Sequence, residues 1–173
     1  MANAAMLRPY VEQQLAALLQ VEKLEKSPDG DIPVVRGSNV TFIRVFDAPE
    51  GPTVRFFAPF LTGVPASPEL LDRLNALNVQ TPFVRFLWTN DNIICSMDLL
   101  ADALPKEAIA HALAVVLGHA EQAGTMLEKE FGGARMVKHD HAETPTAGGA
   151  NPGGRSFFHV SSSSDAHCGD DRR

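Results

Sequence analysis

The sequence predicts an α+β domain. Its expected form is a five-stranded, mostly antiparallel twisted sheet with three helices, in the order α-β-β-β-α-β-β-α. Three observations lead there. Five short runs rich in β-branched and aromatic residues alternate in side-chain character, as half-buried strands do. They fall into groups of three and two, joined within each group by turns too short for a crossover, so neighbours run antiparallel. Leucine-rich stretches of helical period precede, separate and follow these groups, which gathers the helices mostly on one face.

The first helix is expected over about Arg8 to Gln20. Pro9 suits a first turn, and Leu7, Val11, Leu15, Leu18 and Leu19 recur at helical spacing. The charged stretch Glu22 to Asp31 ends in the turn signal Pro28-Asp29-Gly30. Ile32 to Arg36, Val40 to Asp47 and Thr53 to Leu61 read as strands, separated by Gly37-Ser38-Asn39 and by Ala48-Pro49-Glu50-Gly51-Pro52. Ser67 as N-cap, Pro68 and Glu69 open a second helix with the stripe Leu70, Leu71, Leu74 and Leu77. Phe83 to Trp88 and Ile93 to Met97 are the last two strands, joined by Thr89-Asn90-Asp91-Asn92. The third helix starts at Pro105 and is stopped by Gly132-Gly133, a length of roughly 40 Å. Gly118 and Gly124 interrupt it, and Ala110, Ala114 and Gly118 form a small-residue edge suited to close approach.

The folded domain is expected over residues 1–140. From 141 to 173, 12 of 33 positions are Gly, Pro or Ser, and only Phe157, Phe158 and Val160 are bulky and apolar. Such a segment cannot offset the entropy of ordering its backbone, which predicts a disordered tail. The whole chain has 173 residues and a net charge of −6, which argues against a nucleic-acid partner. No apolar run is long enough to span a bilayer, and the first residues lack the pattern of a secretory signal. Two cysteines, Cys95 and Cys168, make no disulfide framework, so a cytoplasmic location is expected.

Side-chain alternation divides the strands into two faces. One is purely apolar: Ile43 and Val45; Val54, Phe56, Ala58 and Phe60; Val84, Phe86 and Trp88; Ile93, Cys95 and Met97. It is expected to lie under the long third helix. The other is mixed: Phe42, Arg44 and Phe46 on one strand, Arg55 and Phe57 on the next, Phe83, Arg85 and Leu87 on the fourth. A solvated sheet face carries Thr, Lys, Glu and Ser instead. Two readings follow. Either the first helix or the 22–31 segment covers this face, with the arginines reaching past it to water, or the face is an interaction surface. As a surface, it offers apolar area and guanidinium donors that suit an amphipathic, acidic peptide. Reversing the charge at Arg44 and Arg85 would then leave folding intact.

Chemistry-bearing patterns are absent. No phosphate-binding glycine loop, nucleophile elbow or Cys-x-x-Cys occurs, so no cofactor and no enzymatic activity are expected. His111 and His119 lie about 12 Å apart along one helix, too far to share a metal. His139, Asp140 and His141, with His159, His167 and Cys168, fall at the domain edge and in the tail, where nothing fixes ligand geometry. Asp98 and Asp102 read as ordinary solvated carboxylates, and Cys95 as a core thiol.

The order of elements, with its long terminal helix, resembles the type III secretion chaperone fold. The stretch from Val54 to Leu71, the Leu74-Asn75 and Asn78 of the following helix, Pro82-Phe83-Val84-Arg85-Phe86, Asp98-Leu99-Leu100-Ala101 and Glu130-Phe131-Gly132-Gly133 resemble the YbjN-like chaperone-type domains of actinobacteria. The resemblance covers about residues 7 to 138. It implies binding of a peptide or client polypeptide, often by homodimers, without a cofactor. It carries no functional residue over, so Phe42, Arg44, Phe46, Arg55, Phe57, Phe83, Arg85 and Leu87 stand as candidates on their pattern alone. The expected function is a non-enzymatic chaperone or adaptor that holds a client segment. The alternative is a regulatory or scaffold module whose mixed face serves only self-association.

Overall fold

The computed structural model describes residues 3–101 and 104–136. The expected boundary at residue 140, the tail over 141–173, the histidine cluster beginning at His139, and Asp102 lie outside the described residues. Within them the elements run α1 (Ala4–Leu19), β1 (Ile32–Arg36), β2 (Asn39–Ala48), β3 (Gly51–Thr62), α2 (Pro68–Gln80), β4 (Arg85–Thr89), β5 (Asn92–Leu100) and α3 (Lys106–Phe131). The strands form one antiparallel sheet in the order β1-β2-β3-β5-β4. Expected order and architecture are both present.

Three elements depart from the expected bounds or pairing. α1 begins at Ala4 because the Asn3 side chain accepts from the backbone N–H of Met6, so Pro9 sits inside the helix rather than at its start. β3 keeps both Phe60 and Leu61 buried because the register shifts between Pro59 and Leu61; a proline cannot donate to the ladder, and a bulge there absorbs the defect. β4 begins at Arg85, two residues later than expected. Phe83 has φ 70°, a left-handed conformation rare for a bulky side chain, and is 82% exposed. It belongs to the loop between α2 and β4.

α2 is capped as its sequence implies, the Ser67 hydroxyl accepting from the N–H of Leu70 at 3.1 Å. Its far end holds the edge of the sheet. The Asn78 amide takes both backbone groups of Phe86: its Nδ2 donates to the carbonyl at 3.0 Å and its Oδ1 accepts from the N–H at 2.7 Å. A side chain thus stands where another strand would pair, as edge strands require. On the opposite edge β1 carries Pro33.

All three helices contribute to a single core built on the apolar set of strand residues. Val11 and Leu15 of α1, Leu70 and Leu74 of α2, and Ile109, Leu113, Val116, Ala120 and Leu127 of α3 meet Ile43, Val54, Phe56, Phe60 and Phe86 there. The small-residue edge of α3 does not serve close packing: a Cβ at Gly118 would meet nothing, and Ala114 is exposed. The close approach falls at Gly124, where a Cβ would overlap the guanidinium of Arg135. After α3 the chain turns back to form a bridge between Ala134 and Thr62, and Arg135 donates to Glu121 and Ser38.

Candidate functional site

Among the described residues every helix contributes to the core on the apolar side, and the mixed face of the sheet carries none. The 22–31 segment does not cover it either. It returns along α1, where Lys26 pairs with Glu12 at 2.7 Å, Arg8 donates to the Gly30 carbonyl and Leu24 packs against the core. Its end reaches the mixed face, where Asp31 pairs with Arg44 and the charge of Asp29 also acts on that guanidinium.

Strand register lays the face out in rows, because residues opposite each other in a ladder point to the same side. One row reads Pro59, Ile94, Leu87 across β3, β5 and β4. The next reads Pro33, Phe42, Phe57, Ser96, Arg85 across all five strands. Then follow Arg44, Arg55, Asp98, and finally Phe46, Thr53, Leu100. Seven of the eight candidates lie in these rows. Phe83 does not; it sits in the loop before β4.

Planar groups stack along the face. Phe42 and Phe57 lie 5.5 Å apart at 24°, the Arg44 guanidinium is 5.3 Å from the centre of the Phe57 ring, and that of Arg55 is 5.0 Å from Phe46. Two carboxylates fix the guanidinium groups from the side. Arg44 donates Nε and Nη2 to Asp31 at 2.8 and 2.6 Å, and Arg55 donates the same pair to Asp98 at 2.7 and 2.8 Å. These are two-point pairs, the strong geometry for Arg and carboxylate. Arg85 adds one bond, from Nη2 to Oδ2 of Asp98 at 2.6 Å. The Asp98 carboxyl is held below its ordinary range, first by the hydrogen bond from Arg55, with the charges of Arg55 and Arg85 adding and burial opposing. Arg44 and Arg55 are raised, first by their hydrogen bonds to Asp31 and Asp98.

Asp31 and Asp98 were not among the sequence candidates, and Asp98 is no ordinary solvated carboxylate. It shares the parity of Ile94 and Ser96, so carrying the last strand through to Leu100 would have placed it on the mixed face. Asp31 carried no such signal, since it lies before β1 and reaches Arg44 through the fold. The Asp31 side chain is only 5% exposed, which also revises the expectation for Arg44. A glutamate there would face a buried carboxylate and destabilise the fold.

Burial pushes the Cys95 thiol up to about 12, so it stays protonated. Among the described residues no group of three His, Cys, Asp or Glu side chains is placed to hold a metal, and no helix is long and apolar enough to cross a membrane.

Comparison with known proteins gives the class of protein to which this fold belongs. The family described as T3SS (YopN, CesT) and YbjN peptide-binding chaperone 1 matches residues 5–139, and the chain belongs to it. The structure is similar to one in the ExsC–ExsE complex, with a TM-score of 0.58 and 16% identity, covering 73% of this chain and 97% of that one. It is also similar to one in the HopA1–SchA chaperone–effector complex, with a TM-score of 0.53 and 6% identity, covering 70% and 97%. No curated protein matches the sequence.

Proposed function

We propose that this protein is a non-enzymatic chaperone or adaptor that acts in the cytoplasm and holds a client polypeptide segment against the mixed face of its sheet. The observation that carries the reading is this face, over which no helix lies among the described residues. It presents the exposed Leu87 beside the half-buried rings of Phe42, Phe46 and Phe57, in a family of peptide-binding chaperones. The stacked rings and paired guanidinium groups are already ordered, so a bound segment meets little further entropy cost on this side of the interface. One similar structure is a chaperone–effector complex, which supports a protein client.

The test compares wild type with Phe42→Ser/Phe57→Ser as bait in the native cytosol, with mass spectrometry of what each retains. Polypeptides held by wild type and lost from the folded variant are expected. Equal retention by both would sink the assignment to this face.

Self-association is assigned to a different surface. Leu71 and Val79, two turns apart on α2, are 49% and 80% exposed, and Phe83, in the loop that follows α2, is exposed as well. A homodimer formed there leaves most of the mixed face free for a client. The scaffold alternative, in which the mixed face serves only the dimer, requires that face to be occluded whenever the protein dimerises.

A further inference from the structure

We infer that the segment held on the mixed face is an apolar one carrying a carboxylate, and that Arg85 is the group that receives it. The inference rests on the client-holding reading above and adds the chemical class of the client.

The face gathers three guanidinium groups, Arg44, Arg55 and Arg85, against two carboxylates, Asp31 and Asp98. Asp29 adds its charge near Arg44, so the three arginines differ in their free donors rather than in a net charge of the face. The hydrogen bonds show where donors remain. Arg44 and Arg55 each spend two donors on a carboxylate and sit over an aromatic ring. Arg85 has only a share of Asp98, through one bond to an oxygen that Arg55 already uses. A guanidinium has five N–H donors in a planar fork. Among the described residues Arg85 uses one of its nitrogens, and its side chain is 56% exposed.

The surroundings decide what that free fork selects. Leu87 lies two residues along the same strand, with Ile94 opposite it, and Phe57 shares the row of Arg85 across Ser96. A segment covering these apolar groups also strips water from Arg85. A neutral client then leaves its donors partly unpaired, and a basic one meets a like charge; a carboxylate completes a third pair on the three-arginine face. The sequence alone suggested three equivalent donors for an acidic peptide. Asp31 and Asp98 reduce that to one position at the β4 end of the face.

The experiment is an array of short random-sequence peptides probed with the full-length protein, followed by solution titration of selected peptides against counterparts with Glu replaced by Gln. Wild type should hold apolar peptides bearing an acidic residue about tenfold more tightly than the amide forms, or about 1.4 kcal/mol. Arg85→Gln should keep the apolar selection and lose the acidic preference, while Arg85→Lys, which retains the charge, should recover part of it. Apolar peptides bound without acidic preference, or with one that survives Arg85→Gln, overturn this inference alone. Retention of no peptide overturns the client-holding reading and the inference with it.

Discussion

Asp98 joins two arginines on two strands, and its ionisation couples that junction to pH. Because its folded-state carboxyl lies below the ordinary value near 4, it stabilises the fold above that pH and the contribution is lost as pH falls through the folded value. The stability difference between wild type and Asp98→Asn, from urea unfolding, should stay level from about pH 8 to about pH 5 and shrink below about pH 4. A difference unchanged at low pH would show that the charge of Asp98 is immaterial. The two partly exposed arginines should separate as well. Arg44→Gln strands the buried Asp31 carboxylate and should cost about 2–3 kcal/mol, whereas Arg85→Gln breaks an exposed bond and should cost about 1 kcal/mol or less. Equal losses would mean that Asp31 is satisfied without Arg44.

At the scale of elements, much of the fold is written locally. Ser67-Pro68-Glu69 starts α2, and Asn90 and Asp91, with φ 47° and 58°, make the tight turn that their residue types imply between β4 and β5. Alternation alone separated the core face from the mixed face, since period-2 patterning needs no knowledge of partners. What stayed hidden depends on contacts between distant segments. The late start of β4 accompanies Asn78 clamping Phe86, the Arg44 pair on a residue thirteen positions earlier, and the close approach at Gly124 on Arg135 from beyond the helix end. The two α3 glycines test this distinction. Gly118→Ala, with open space at its Cβ, should raise stability by about 0.5–1 kcal/mol through helix propensity. Gly124→Ala gains the same propensity but must displace Arg135 from Glu121 and Ser38, so its thermal midpoint should not rise. Equal gains at both would show that the Arg135 contact contributes nothing.

For the whole molecule, the one-sided placement of helices is the organising fact. Among the described residues it gives a closed core on one side of the sheet and a patterned face without helices on the other, while Pro33 and Asn78 discourage further strands at the two edges. Among the described residues, exposed apolar side chains occur on the mixed face and from Leu71 and Val79 to Phe83. Phe83 combines high exposure with a left-handed backbone, a conformation that costs free energy, and a bulky ring kept exposed in that way calls for a compensating contact. A second copy of the chain supplies it in the proposed homodimer. Val79→Glu with Phe83→Glu should therefore shift the protein from dimer to monomer in sedimentation velocity, with secondary structure unchanged, because neither side chain is part of the core. Peptide binding at the mixed face should persist in that monomer at a similar per-subunit affinity. If the variant remains dimeric while mixed-face substitutions dissociate it, the mixed face is the dimer interface, and the scaffold reading replaces the client-holding one.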